Sequence, residues 1–155
     1  DTTASRSEET FTFATGKRVH RFDLADMKAD GNAALRIRVS TNNGTAYLSD
    51  TQYMGVDGTY QTFIGLGNAR GANSPNNNNL FPGLHGYVEC YPASNRYQAI
   101  KISCYGSVPG TDITQFTVRE GVYWHRSTTP INAIRFYWDT NGSFLAGKVN
   151  YYTRN

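Results

Sequence analysis

Two short segments combine aromatic rings with groups that form hydrogen bonds with sugar hydroxyls. Val122-Tyr123-Trp124-His125-Arg126 closes one candidate strand, and Tyr137-Trp138-Asp139 closes the next. The apolar face of a Trp or Tyr ring stacks on a sugar, while Asp, Asn and Arg side chains bond its hydroxyl groups. One interpretation is a glycan-binding platform. Its candidate contact residues are Tyr53, Tyr123, Trp124, His125, Arg126, Asp139 and Asn141.

The alternative interpretation is that these aromatic residues belong to a hydrophobic core. Apolar residues alternate along residues 131–138 and end on Trp138, so this side chain is predicted to face inward. Trp124 is better placed for exposure, because its neighbours Tyr123 and His125 share the opposite side of their strand. Trp124 is therefore the residue expected to stack on a ligand.

Metal binding and catalysis find little support in the sequence. His20, His85 and His125 are isolated from one another, and neither cysteine belongs to a C-x-x-C pair, so no metal or cofactor is predicted. No G-x-S-x-G motif is present, and most acidic residues lie in candidate turns or on outward strand faces. We expect a protein that is not an enzyme.

The composition is typical of a single all-β domain. The chain has 155 residues, of which 17% are charged, with 11 Tyr and 15 Gly. Strands and turns are rich in these residue types. The net charge of +3 comes from scattered basic residues, whereas a nucleic-acid-binding protein concentrates them in a patch. No apolar run approaches the roughly 20 residues of a membrane helix, so we expect neither nucleic-acid binding nor membrane insertion.

Runs of alternating residues bounded by Gly, Pro, Asn or Asp predict an antiparallel β-sandwich, jelly-roll-like, with about eight or nine strands. One short helical turn is expected over residues 24–30. The predicted strands are Glu9–Thr15, Arg18–Asp23, Ala33–Ser40, Tyr60–Ile64, Leu84–Tyr91, Tyr97–Gly106, Ile113–Tyr123, Ile131–Trp138 and Lys148–Thr153.

The ends and loops of this domain are predicted from polarity. Residues 1–10 are polar and aperiodic, which predicts a flexible tail or an attachment strap before a single sandwich domain over residues 11–155. Two long polar connections span residues 41–59 and 68–83. The Asn76–Asn79 run in the second favours a disordered surface loop, and a functional loop stays open as the alternative.

Cys90 and Cys104 fall on the inward faces of two candidate strands joined by the turn over residues 92–96. A turn centred near Ser94 places Cys90 opposite Gln98. The sulfurs are then about six residues apart, or roughly 20 Å along the strand, which is too far for a disulfide. The prediction is two buried free thiols that pack as small hydrophobic side chains.

Three segments carry a family resemblance. Ile131-Asn132-Ala133-Ile134-Arg135-Phe136, a Gly-containing turn and then Phe144 to Tyr152 resemble the closing motif of a β-rich domain in tailed-phage structural proteins. The stretch Ala34–Gly44 followed by Tyr47 is similar to an upstream motif of the same domains. Gly86–Ser94 resembles a third. These matches occur in the family's order and cover most of the chain.

The resemblance implies a non-catalytic protein of the virion surface, assembled in the bacterial cytoplasm. A tail fibre or spike tip that binds host cell-surface polysaccharide is the first hypothesis. A capsid decoration, head-fibre or connector protein that binds other virion proteins is the second, and a fragment of a capsule depolymerase is the third. A homo-oligomer, with a trimer as the common form among fibre tips, is also implied. Reduced cysteines agree with cytoplasmic assembly.

Overall fold

The computed structural model describes residues 7–29, 33–48, 53–55, 57–69, 83–107, 116–139 and 144–155. These residues form eleven strands, and none of them is helical. Within this part of the chain, no helix is long and apolar enough to cross a membrane. The strands are β1 (Glu8–Thr12), β2 (Val19–Ala29), β3 (Ala33–Ser40), β4 (Tyr53–Met54), β5 (Tyr60–Gln61), β6 (Ile64–Ala69), β7 (Leu84–Tyr91), β8 (Gln98–Ser107), β9 (Phe116–His125), β10 (Ala133–Trp138) and β11 (Phe144–Arg154).

The strands form two antiparallel sheets, which confirms the predicted β-sandwich. The small sheet has the order β1-β10-β3-β6, and the large sheet has the order β11-β2-β7-β8-β9-β4-β5. The chain moves from one sheet to the other at most of its connections, as it does in jelly rolls. The consecutive strands β7, β8 and β9 instead stay together in the large sheet, so they present one continuous outer surface.

The core lies between the two sheets and follows the alternation of the sequence. In β3, Leu35, Ile37 and Val39 are buried and the intervening arginines point outward. Phe22 of the large sheet packs against Phe136 of the small sheet, with ring centroids 5.6 Å apart. Five per cent of the Trp138 surface is exposed, so the prediction that it belongs to the core is confirmed.

The predicted helical turn over residues 24–30 is wrong, because β2 continues as a strand to Ala29. Asp26 has a φ of 52°, and the pairing with β7 shifts register between Leu24 and Met27. This bulge interrupts the strict alternation that a strand prediction relies on. The Asp26 carboxylate accepts a hydrogen bond from the Gly83 amide at 2.7 Å, which stabilises the bulge.

The prediction of a flexible tail over residues 1–10 is wrong for residues 8–10, which belong to a strand. Residues 8–10 are paired with β10 in the small sheet, because β1 brings Phe11 against Phe22 and Phe136. Residues 1–6 lie outside the described residues, as do the Asn76–Asn79 run and most of its loop. The predicted strand Tyr60–Ile64 is two strands, β5 and β6, and β4 was missed because it has only two residues.

Cys90 and Cys104 are free and buried, as predicted. Their register differs from the prediction, since Cys90 lies opposite Ile100 and Cys104 lies opposite Gly86. The two cysteines are therefore about four residues apart, or roughly 13 Å, which still excludes a disulfide. Burial raises the pKa of the Cys104 thiol to about 12 and that of Cys90 even further, so both are neutral core groups.

Candidate functional site

A row of three side chains crosses the outer face of the large sheet. The register pairs Ala99 of β8 with Tyr91 of β7 on one side and with Trp124 of β9 on the other. Ala99 is short, so it forms a low floor between two aromatic side chains. The result is an open groove of about 660 Å³, named here the Trp124 groove. It is lined by Arg18, Tyr91, Pro92, Ala93, Ser94, Arg96, Tyr97, Ala99 and Trp124.

The turn between β7 and β8, residues 92–97, forms one end of the Trp124 groove. Asn95 adopts a φ of 60°, a left-handed conformation that Asn tolerates better than most residues. The backbone N–H of Asn95 donates a hydrogen bond to the Thr128 carbonyl at 3.0 Å, which fixes the turn to the segment after β9. Tyr97 is 48% exposed and lies at the lip of the groove.

Gln98 fixes this end of the sandwich from beneath. Its amide nitrogen donates to the carbonyls of Ser127 and Thr129 at 2.8 and 2.7 Å. Its oxygen accepts from the amides of Ile131 at 2.7 Å and Ala93 at 3.3 Å. The side chain is completely buried. One amide therefore holds the β7–β8 turn and the segment after β9 together, and these two segments flank the groove.

Glu89 lies beside the groove, and two arginines balance its negative charge. Glu89 accepts hydrogen bonds from Tyr91 at 2.7 Å, Arg21 at 3.1 Å and Arg154 at 2.8 Å. Burial opposes its ionisation, but these bonds and the two arginine charges hold the pKa of Glu89 below its usual value. The bond to Glu89 in turn raises the pKa of Tyr91 to about 12. This carboxylate stays ionised, and its charge is already balanced.

Two arginines line the groove itself. Arg18 precedes β2, where its amide bonds the Arg154 carbonyl at 3.0 Å, and Arg96 lies in the β7–β8 turn. In the described part of the chain, neither guanidinium has an acidic partner. The groove therefore combines exposed aromatic surface with two positive charges.

The predicted contact residues are only partly brought together. Trp124 is 41% exposed and lines the groove, as its strand position indicated. Tyr53 and His125 have no exposed surface, so neither can contact a ligand directly, and this corrects the sequence-based list. Tyr53 is a core residue whose hydroxyl accepts a hydrogen bond from the Val39 amide at 2.7 Å.

His125 is buried against Tyr53, with ring centroids 5.3 Å apart. Its Nδ1 accepts a hydrogen bond from the Ser127 amide at 3.2 Å, so the ring proton is on Nε2. Nε2 has no hydrogen-bond partner among the described residues. Burial lowers the pKa of His125 to about 4, and the ring is neutral at pH 7.

The remaining predicted contacts lie elsewhere. Tyr123 packs partly buried against the core, and the guanidinium of Arg126 lies 4.8 Å from the centre of the Tyr60 ring. Asp139 follows β10 in the small sheet, where it pairs with Arg36 at 2.9 Å. Its position is therefore in a different sheet from Trp124. Asn141 lies outside the described residues.

Sequence reasoning missed most of the groove residues. Tyr91 and Ala99 were assigned to the correct pair of strands, but a turn centred on Ser94 instead of Asn95 shifts their pairing. The sequence pattern places Arg96 in a turn and Tyr97 at the start of a strand, and it indicates a binding role for neither. The signal that was available is the alternation itself, because Tyr91 and Ala99 share the outward face opposite the buried Cys90 and Ile100.

The described residues include no group of three or more His, Cys, Asp or Glu side chains that is able to hold a metal ion. Comparison of the chain with protein-family models, with curated proteins and with solved structures finds no match in any of the three. The side chains of the Trp124 groove can stack on a flat ligand through their rings and donate hydrogen bonds from their guanidinium groups.

Proposed function

We propose that this protein is a non-enzymatic glycan-binding module that holds a polysaccharide in the Trp124 groove. The observation that supports this proposal is the exposure of Trp124 and Tyr97 beside one groove, with Ala99 between the aromatic rows. Large exposed aromatic side chains gathered at one concave surface are characteristic of binding sites. Their ring faces fit the flat apolar faces of sugar rings.

The rigidity of the groove supports binding without a large ordering cost. The β7–β8 turn is fixed by Asn95 and by the hydrogen bonds of Gln98. A groove that is formed before the ligand arrives loses less conformational entropy on binding. None of the described residues that line the groove is acidic, whereas hydrolysis of a glycosidic bond ordinarily uses two carboxyl groups. We therefore propose binding without turnover.

The biological setting that we propose is the surface of a tailed phage, where the protein attaches the virion to host polysaccharide as part of a fibre or spike. The ordered resemblance of three segments to phage structural domains supports this setting. Free buried cysteines agree with assembly in a bacterial cytoplasm.

The test is to measure binding of Trp124→Ala and Tyr97→Ala variants to host cells and to purified surface polysaccharide. We expect each substitution to weaken binding about tenfold or more, because central aromatic contacts dominate such interfaces. We expect the melting temperature to change little, since both side chains are largely outside the core. Tyr105→Ala is the matched control, because Tyr105 is 54% exposed toward the other end of β8.

Unchanged binding by both groove variants, or an equal loss with Tyr105→Ala, contradicts the proposal. Release of reducing ends from the bound polysaccharide supports the depolymerase alternative instead. Binding to empty phage particles without binding to host cells supports the decoration alternative.

A further inference from the structure

The two arginines of the Trp124 groove differ from most other arginines in the described part of the chain. Four arginines form ion pairs with acidic side chains: Arg21, Arg36, Arg135 and Arg154. Two more place their guanidinium groups over aromatic rings, Arg38 over Tyr137 and Arg126 over Tyr60. Among the described residues, Arg18, Arg96 and Arg119 have neither kind of partner. Two of these three line the same groove.

The surroundings of Arg18 and Arg96 also favour an anion. Among the described residues that line the groove, the charged ones are Arg18 and Arg96. The carboxylate of Glu89 forms ion pairs with Arg21 and Arg154. It therefore does not neutralise the charges of Arg18 and Arg96. Two positive charges beside a partly desolvated aromatic surface attract a negatively charged ligand more strongly than the same charges in open water.

We propose that the ligand of the groove is an acidic polysaccharide whose repeating unit carries a carboxylate, as uronic acids do. This inference rests on the proposed glycan-binding function and specifies its ligand class. Trp124 and Tyr97 stack on sugar rings, while Arg18 and Arg96 bond the carboxylates. A guanidinium presents paired N–H donors that match the two oxygens of a carboxylate, so arginine distinguishes an acidic sugar from its neutral counterpart.

A polyanion of a different class, single-stranded nucleic acid, also uses aromatic stacking with positive charge. Such proteins follow the phosphate backbone with a long basic track. Here the groove holds two arginines, and the net charge of the chain is only +3. The observations therefore favour the acidic glycan, and nucleic acid becomes an arm of the test.

The experiment measures affinity by titration calorimetry for carboxylated polysaccharides, including polygalacturonate, alginate, hyaluronate and polysialate. Each is compared with its carboxyl-reduced form, which keeps the sugar skeleton and loses the charge. Neutral dextran, a sulfated glycan and an oligothymidylate complete the set. We expect a carboxylated glycan to bind most tightly and its carboxyl-reduced form to bind at least about tenfold more weakly, as loss of charged hydrogen bonds predicts.

The variants are Arg18→Gln and Arg96→Gln, with Arg119→Gln as the matched control. Arg119 is also exposed and without an acidic partner in the described part of the chain, but it lies outside the groove near the other end of β9. All three substitutions lower the net charge equally. We expect about tenfold weaker binding for the two groove variants and no change for the control.

Three results would overturn the acidic-glycan proposal. Equal binding of a carboxylated glycan and its reduced form, with Trp124→Ala still abolishing both, rejects the acidic ligand and leaves glycan binding intact. Binding of the sulfated glycan alone rejects the carboxylate. Binding of the oligothymidylate without any glycan rejects both the acidic ligand and the proposed function.

Discussion

Two surfaces of the sandwich, one on each sheet, carry arginine and aromatic side chains in opposite states. On the small sheet, Arg36 lies 3.9 Å from the centre of the Phe63 ring and also pairs with Asp139. Arg135 lies 4.5 Å from the centre of the Tyr47 ring and pairs with Glu8. This set of stacked arginines is named here the Arg–aromatic face. Its arginines and rings already contact one another.

In the Trp124 groove, the described aromatic rings and guanidinium groups do not form such ion pairs and stacking contacts with one another. Trp124 and Tyr97 are exposed, and Arg18 and Arg96 have no acidic partners in the described part of the chain. Residue type alone therefore does not identify a binding surface, because both surfaces contain arginine and aromatic residues. What matters is whether the stacking and charge of a side chain are already satisfied within the fold.

The largest effect is expected from Gln98→Ala, which removes the support of the groove. The variant leaves the buried Ile131 amide without its acceptor and removes the Gln98 side-chain bonds between the β7–β8 turn and the segment after β9, where the Asn95–Thr128 backbone bond remains. Loss of this buried network is expected to cost about 3 kcal/mol of unfolding free energy. Urea denaturation measures it, and glycan binding should fall in parallel. The exposed Asn150→Ala is the control, and an equally small loss for both variants contradicts the supporting role of Gln98.

Acid is expected to destabilise the large sheet first. His125 and His20 belong to β9 and β2 of the large sheet, and burial lowers the pKa of both, although a hydrogen bond with the Lys17 backbone opposes this for His20. The sequences of the four small-sheet strands contain no histidine.

The unfolded chain protonates histidine near pH 6.5, whereas folded His125 remains neutral down to about pH 4. Protonation therefore favours unfolding. The stability that neutral His125 contributes is fully present above pH 6.5, and it falls by up to about 1.4 kcal/mol per pH unit as the pH drops from 6.5 to about 4. Urea denaturation at pH 7.5 and 4.5 measures the loss, and His125→Asn should reduce it. An identical pH dependence in this variant and the parent protein rejects the role of His125.

A smaller effect is expected from the Arg–aromatic face. Arg36→Ala removes the ion pair with Asp139 and the stacking on Phe63, so we expect about 1 kcal/mol of destabilisation. We also expect unchanged glycan affinity, measured by the same titration as for the groove variants. Arg96→Ala should show the reverse pattern, with stability within about 0.5 kcal/mol of the parent protein and weaker binding. If Arg36→Ala weakens binding and Arg96→Ala does not, the glycan binds at the Arg–aromatic face and the groove proposal is wrong.

The fold was predictable because it follows local patterns. Alternation predicted strands over residues 84–91, 97–106 and 131–138, each within two residues of an observed strand, and the inward position of Trp138. The bulge at Asp26 was not predictable, since it depends on a hydrogen bond to the distant Gly83. Local pattern thus determines the strands, and long-range contacts determine their irregularities.

The groove was predictable in only one residue, Trp124. The row of Tyr91, Ala99 and Trp124 depends on the β7–β8 and β8–β9 registers. A shift of one residue in the β7–β8 turn changes which of these side chains are neighbours. Arg18 reaches the groove only because β2 adjoins β7 in the large sheet, which no local pattern encodes. The exposure of Trp124, in contrast, followed from alternation alone.

The most direct test of the central claim is to map the ligand by NMR. Amide chemical shifts of the labelled protein are followed while an oligosaccharide of the bound polysaccharide is added. The account predicts that the largest changes cluster at Arg18, at residues 91–99 and at Trp124. Changes centred on Arg36, Arg135 and Tyr47 of the Arg–aromatic face, with the groove unaffected, contradict it.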